Sequence, residues 1–170
     1  MLKVTGCIII FICCFGLGHL KAFSFRERCR ELESILELIR LMELDITYRK
    51  EPLIKTFRRT SGLKPCWFGN VLQSCSHMLG NQNSLQESWT ASIEQWRGKC
   101  PLEKEDIVIL NDFVLGLGKS NSEGQAKIIA PVSARLDANL KKAREREEKL
   151  GRMYKAIGTA AGIVIVILIV

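Results

Sequence analysis

Both ends of the chain are apolar and carry no formal charge, and this constrains its fold more than any internal motif. Residues 4–20 read VTGCIIIFICCFGLGHL and residues 156–170 read AIGTAAGIVIVILIV, with no Asp, Glu, Lys or Arg in either. Such segments bury at little cost in lipid, where a charge at mid-span costs about 2.5–3.5 kcal/mol on insertion scales. As helices they rise about 25 Å and 22 Å, against a hydrocarbon core of about 30 Å. Both are short; Met153, Tyr154 and neighbouring lysines extend the second, and bilayer thinning absorbs the rest. The expected architecture is all-α: a helical bundle over residues 21–155, with transmembrane helices over residues 1–20 and 156–170 on either side.

Charge orients this arrangement. Every acid, and every base except Lys3, lies between residues 21 and 155, within a net charge of +7. Lys21, Arg26, Arg28 and Arg30 follow the first apolar segment, and Lys141, Lys142, Arg144, Arg146, Lys149, Arg152 and Lys155 precede the second. The bias of Lys and Arg toward the cytoplasmic side places both flanks, and the central domain, in the cytoplasm. Basic residues beside an anionic leaflet gain about 1 kcal/mol each, so anionic lipid headgroups are expected partners of Lys141, Lys142, Arg144 and Arg146. Nucleic acid is not expected, since the basic residues are not interleaved with stacking aromatics. The alternative for the N-terminal segment is a cleaved signal peptide, with Lys3 as its basic start and Gly16 and Gly18 as small residues. The product would be an exported, membrane-anchored protein that binds acidic wall polymers.

Between the ends the pattern is helical. Ser24 to Glu27 has the form of a capping box, and Leu32, Ile35, Leu36, Ile39, Met42 and Ile46 then recur at steps of three and four. Pro52 ends that helix and begins a short one with Leu53 and Phe57. Ser61-Gly62 breaks the chain again, and Pro65 opens a helix with Trp67, Phe68, Val71, Leu72, Cys75, Met78 and Leu79 on one face. After the turn at residues 80–83, Ser84 to Glu87 is a second capping box, ahead of Leu85, Trp89, Ile93 and Trp96. A fifth helix runs from Glu103 to Leu117 and stops at Gly118. A last, long helix runs from Ser122 into the terminal segment, with a kink expected at Pro131.

Few residues suggest chemistry. Gly118-Lys119-Ser120 resembles the end of a phosphate-binding loop, whose first glycine would fall at Phe113 inside a helix; a helix C-cap at Gly118 accounts for it better. An ATP-using enzyme would rest on that fragment alone. Cys66, Cys75 and His77 do not have a recurrent zinc spacing, and Cys75 lies on an apolar helix face. The cysteines are expected to be reduced. With His19 and His77 as the only histidines, a nucleophile–base pair has few options, and no catalytic residues, metal or cofactor are expected. Gly158 and Gly162 form a G-x-x-x-G step at the start of the last segment, which permits close helix packing, either on the chain's own first segment through Gly6 or Gly16 or on another protein.

Four stretches together carry a resemblance. They are the opening MLKVTGCIII; Leu41 to Leu53, with a Leu, an acid, an Ile and Tyr48 leading to Pro52-Leu53; Leu110 to Gln125, LNDFVLGLGKSNSEGQ; and Lys149 to Gly158, leading into the apolar end. In order and spacing they resemble the stage III sporulation protein AB family over essentially the whole chain. Departures are Asn121 in place of an Asp, Pro131 within the last helix, and the many cysteines. The resemblance implies a platform component of a secretion-like channel complex in the mother-cell membrane facing the forespore. It also implies similarity to the F-type platform domains of type II secretion and type IV pilus systems. The partners so implied are other stage III sporulation complex proteins, including a cytoplasmic ATPase and membrane subunits. The surfaces expected to meet them are Lys141 to Lys155 and the loop from Lys119 to Gln125.

Overall fold

The computed structural model describes the backbone of residues 2–81, 83–119 and 122–169, and the side chains of these apart from residues 2–11, 13, 14, 122, 123, 126, 155, 162, 163 and 165–169. Among the described residues the chain is all-α. Its helices are α1 (Leu2–Leu44), α2 (Leu53–Ser61), α3 (Trp67–Gly80), α4 (Leu85–Trp96), α5 (Lys104–Lys119) and α6 (Ser122–Ile169). A π-helical turn, Asp45–Arg49, follows α1, and a 3₁₀ turn, Arg97–Lys99, follows α4. Two compact units form: residues 30–140, and residues 1–29 with 141–170. Residues 21–29 and 141–155, read from sequence as part of the central bundle, thus cluster with the terminal segments.

The unit of residues 30–140 is built on the apolar stripe of α1. Leu32, Ile35, Ile39, Met42 and Ile46 are all buried, as is Leu38 beside them. They meet Phe57 of α2, Phe68 and Leu72 of α3, Trp89 of α4, and Leu110 and Phe113 of α5 in one core. Each such side chain contributes about 1.5–3 kcal/mol on full burial.

Polar groups within this core set the helix ends. The Glu31 carboxylate accepts the backbone amides of Trp67 at 3.1 Å and Phe68 at 2.8 Å, satisfying two donors at the start of α3. Cys66 is the N-cap of that helix, its Sγ accepting the Gly69 amide at 3.3 Å. A Cβ at Gly69 would stand 2.9 Å from the Lys64 carbonyl oxygen, so only glycine fits there. The capping box at α4 is complete: Ser84 Oγ accepts the Glu87 amide and Glu87 Oε2 the Ser84 amide, each at 3.2 Å. At α5, Asp106 Oδ2 accepts the Glu103 amide at 3.1 Å, and Asn139 of α6 donates to Asp106 Oδ1 at 2.8 Å. The three indole N–H groups donate to the Trp96 carbonyl (from Trp67), Asn111 Oδ1 (from Trp89) and Ser74 Oγ (from Trp96).

Two local expectations are corrected. Ser24 does not cap a helix: it lies inside α1, and its hydroxyl donates back to the Lys21 carbonyl at 2.8 Å, because the helix arrives already formed from residue 2. Gly118 does not stop α5, which continues to Lys119, and no described glycine has a positive φ. A Cβ at Gly118 would press on the Leu85 Cδ2 methyl, a side-chain end that has to turn aside to admit it. Pro131 lies inside α6, which is one helix from Ser122 to Ile169.

No helix is long and apolar enough to cross a membrane when only the described residues are counted, so on that criterion flanking transmembrane helices find no support. Most side chains of residues 4–14 and 162–170 lie outside the described set. Helix α1 nevertheless begins at Leu2 and α6 ends at Ile169.

Candidate functional site

Small residues shape the unit formed by residues 1–29 and 141–170. Gly18 and Ala22 stand four apart on α1, and Gly151 and Gly158 seven apart on α6, so each pair shares a helix face. All four are buried. A Cβ on Gly18 would stand 2.7 Å from the Tyr154 carbonyl oxygen and 3.2 Å from the Gly158 Cα, so the two backbones touch there. Gly16 has nothing within 4 Å of such an atom. Gly6 and Gly162 lie outside the described side chains. Beside the contact, Tyr154 meets the Phe25 ring at 6.0 Å and the Lys21 ammonium sits 5.7 Å from the same ring.

Next to this crossing lies a groove of about 450 Å³, lined by His19, Ala22, Phe23 and Arg26 of α1 and by Arg144, Glu147, Glu148, Gly151 and Arg152 of α6. Arg152 Nη2 pairs with Glu148 Oε1 at 3.1 Å. Lys141, Lys142, Arg144 and Arg146 are all exposed, and of these four only Arg144 lines the groove. Along the same two helices, α1 exposes Ile12, Phe15, Leu17, Leu20 and Phe23, and α6 exposes Met153, Ile157 and Val164; Leu17 and Leu20 are 68% and 67% exposed. Sequence reading missed the groove, although the small residues that form its floor were visible as Gly18-x-x-x-Ala22 and the Gly151–Gly158 step.

A second feature belongs to the other unit. The residue before Pro52 disfavours helical geometry, so the chain leaves α1 through the π turn and Lys50, whose φ of 50° and ψ of 35° are left-handed. Such a conformation costs a non-glycine residue on the order of 1–2 kcal/mol. Buried Asp45 holds the turn, facing Arg49 Nε at 3.5 Å and Arg59 Nη1 at 3.2 Å. The result exposes Leu44, Tyr48 and Ile54, with Tyr48 at 79%, among exposed Lys50, Lys55 and Arg58.

The remaining expected residues do not converge. Cys66 caps α3, Cys75 is buried and His77 is exposed; no group of three His, Cys, Asp or Glu among the described residues could hold a metal. Burial pushes the Cys66 thiol up to about 11 and the Cys75 thiol up to about 12, and raises Cys100 as well. In the loop between α5 and α6, Ser120 and Asn121 lie outside the described residues. Gln125 Nε2 donates to the Leu117 carbonyl at 2.7 Å, closing the end of α5.

Comparison with known proteins agrees with this architecture. A solved structure of a stage III sporulation protein AB superposes with a TM-score of 0.65 at 20% identity, covering 72% of this chain and 98% of its own. The stage III sporulation protein AB of Bacillus subtilis (strain 168) is 23% identical over 170 residues, 99% of both chains. The family model described as stage III sporulation protein AB matches residues 3–170. The chain belongs to the stage III sporulation protein AB family.

Proposed function

We propose that the protein is a non-enzymatic platform component of the sporulation channel complex, anchored at both ends in the mother-cell membrane with its bundle in the cytoplasm. The family name supports a role in sporulation. The observation that carries the anchoring is the exposed apolar set on α1 and α6, from Ile12 to Phe23 and from Met153 to Val164. Large apolar side chains left in water forgo about 1.5–3 kcal/mol each relative to burial, and contiguous patches of this kind mark membrane or protein contacts. The exposed bases Lys141, Lys142, Arg144 and Arg146 then serve an anionic leaflet.

In this reading the bundle works by position. The Asp45-braced turn presents Tyr48, Leu44 and Ile54 within a basic rim, suited to an acidic face of a partner subunit or ATPase of the same complex. Aromatic anchors with charged rims are the usual form of such contacts. The test is alkaline extraction of membranes from sporulating cells. The full chain is expected to stay with the membrane, and a chain lacking residues 1–20 and 156–170 is expected to be released. Complete release of the full chain would overturn the anchoring.

A further inference from the structure

The groove of the first unit is wider than helix packing requires. Helices α1 and α6 touch backbone to backbone at Gly18, yet seven residues earlier on α6, about 10 Å along the axis, they leave space. Gly151 is buried, and a Cβ on it would meet nothing within 4 Å. A buried glycine beside open space does not serve close approach; it keeps a trough clear.

The lining suits one kind of ligand. Arg26 of α1 and Arg144, Glu147, Glu148 and Arg152 of α6 line the same space of about 450 Å³, a balance of one positive charge that complements the single negative charge of a phosphodiester. Arginine forks match phosphate oxygens in bidentate fashion, and Arg152 is oriented by Glu148 at 3.1 Å. Phe23 is both a wall of the groove and half exposed, and Leu20 and Ile157 nearby on the same two helices are exposed as well. A charged cleft continuous with an apolar surface fits a molecule that has a phosphate and hydrocarbon tails.

The geometry points to a binding site for one membrane phospholipid, its phosphodiester headgroup among Arg26, Arg144 and Arg152 and its acyl chains along Leu20, Phe23 and Ile157. The inference rests on the membrane anchoring proposed above. Bound in this way, a lipid fills the space that Gly151 leaves and ties the two arms to the bilayer surface at a fixed depth.

The test uses the full chain reconstituted in phosphatidylcholine vesicles containing a minor fraction of phosphatidylglycerol. Flotation with the vesicles is measured first. The chain is then released into mild detergent, and retained lipid is counted by native mass spectrometry. The wild-type chain is expected to keep one phospholipid. Gly151→Leu, which fills the trough, and the pair Arg26→Gln with Arg144→Gln are expected to float equally well but to retain at least about tenfold less. Lys104→Gln, on the exposed start of α5 and outside the groove, is expected to retain the lipid. Unchanged retention in both groove variants, or none in a wild-type chain that floats, overturns the site while leaving the anchoring intact. A chain that fails to float removes the anchoring and the site together. Displacement of the lipid by soluble glycerol phosphate at equal affinity would make this a free-phosphate site and overturn the lipid assignment.

Discussion

Glu31 Oε1 and the backbone amide of Phe68 meet at 2.8 Å across 37 residues of sequence. One α1 carboxylate thereby closes the start of α3. Burial raises the Glu31 pKa, outweighing the two backbone amides, the Cys66 side chain and Lys64, which lower it.

Glu31→Ala is expected to cost about 1–3 kcal/mol, because the Trp67 and Phe68 amides lose their acceptor in the interior. The pH dependence has a definite sign. A raised carboxyl pKa means that the folded state holds the proton more tightly than the unfolded state. Glu31 therefore contributes fully below its ordinary value of 4.5, and that contribution is lost as pH rises through the raised value. Denaturant unfolding in mild detergent across a pH series should show the advantage of wild type over Glu31→Gln shrinking as pH increases. An advantage that grows with pH would mean that the amide donors outweigh burial.

The thiols should react slowly. Cys66 at about 11 and Cys75 at about 12 hold far less thiolate at neutral pH than an unfolded cysteine near 9, roughly a hundredfold less for Cys66. Maleimide labelling followed by peptide mass spectrometry should show protection in the native chain and fast reaction in urea. Equal rates in both states would contradict the burial of α3 against the core.

Two glycines should respond oppositely to alanine. Gly118→Ala pushes against the movable end of the Leu85 side chain and is expected to destabilise by up to about 1 kcal/mol, the cost of turning that side chain off its preferred rotamer. Gly80→Ala, with nothing within 4 Å of the new atom at the end of α3, is expected to stabilise by up to about 1 kcal/mol through helix propensity. Thermal unfolding of the two variants in the same detergent separates them. A Gly118→Ala chain as stable as wild type would remove Leu85 as the reason for that glycine.

Signals carried by neighbouring residues were legible in the sequence. The Ser84–Glu87 capping box, the three-and-four stripe from Leu32 to Ile46, and the break before Pro52 each depend on a few adjacent positions, and each is found. Signals that depend on distant partners were not legible. Ser24-x-x-Glu27 has the same form as Ser84-x-x-Glu87, but whether such a box caps a helix depends on whether the helix has already begun. Gly118 looked like a helix end because the Leu85 methyl beside it is 33 positions away in sequence. Glu31, Asp106 and Asn139 carry no local signal of burial, which follows from pairings across the core. The left-handed Lys50 has no signature, since lysine has no preference for that geometry. The groove has a local trace in the spaced small residues Gly18, Ala22, Gly151 and Gly158, but which of them meet across the two helices depends on partners more than a hundred positions apart.

The proposed arrangement holds the bundle on the cytoplasmic side by two membrane anchors. Because Cys29 and Cys75 are buried and Cys66 and Cys100 half-buried, it is best tested with an introduced, exposed cysteine, Lys55→Cys on α2, and a membrane-impermeant maleimide applied to intact and to lysed cells. That residue is expected to be labelled only after lysis, with residues 1–20 still present in the mature chain. Labelling in intact cells would place the bundle outside the membrane and contradict it.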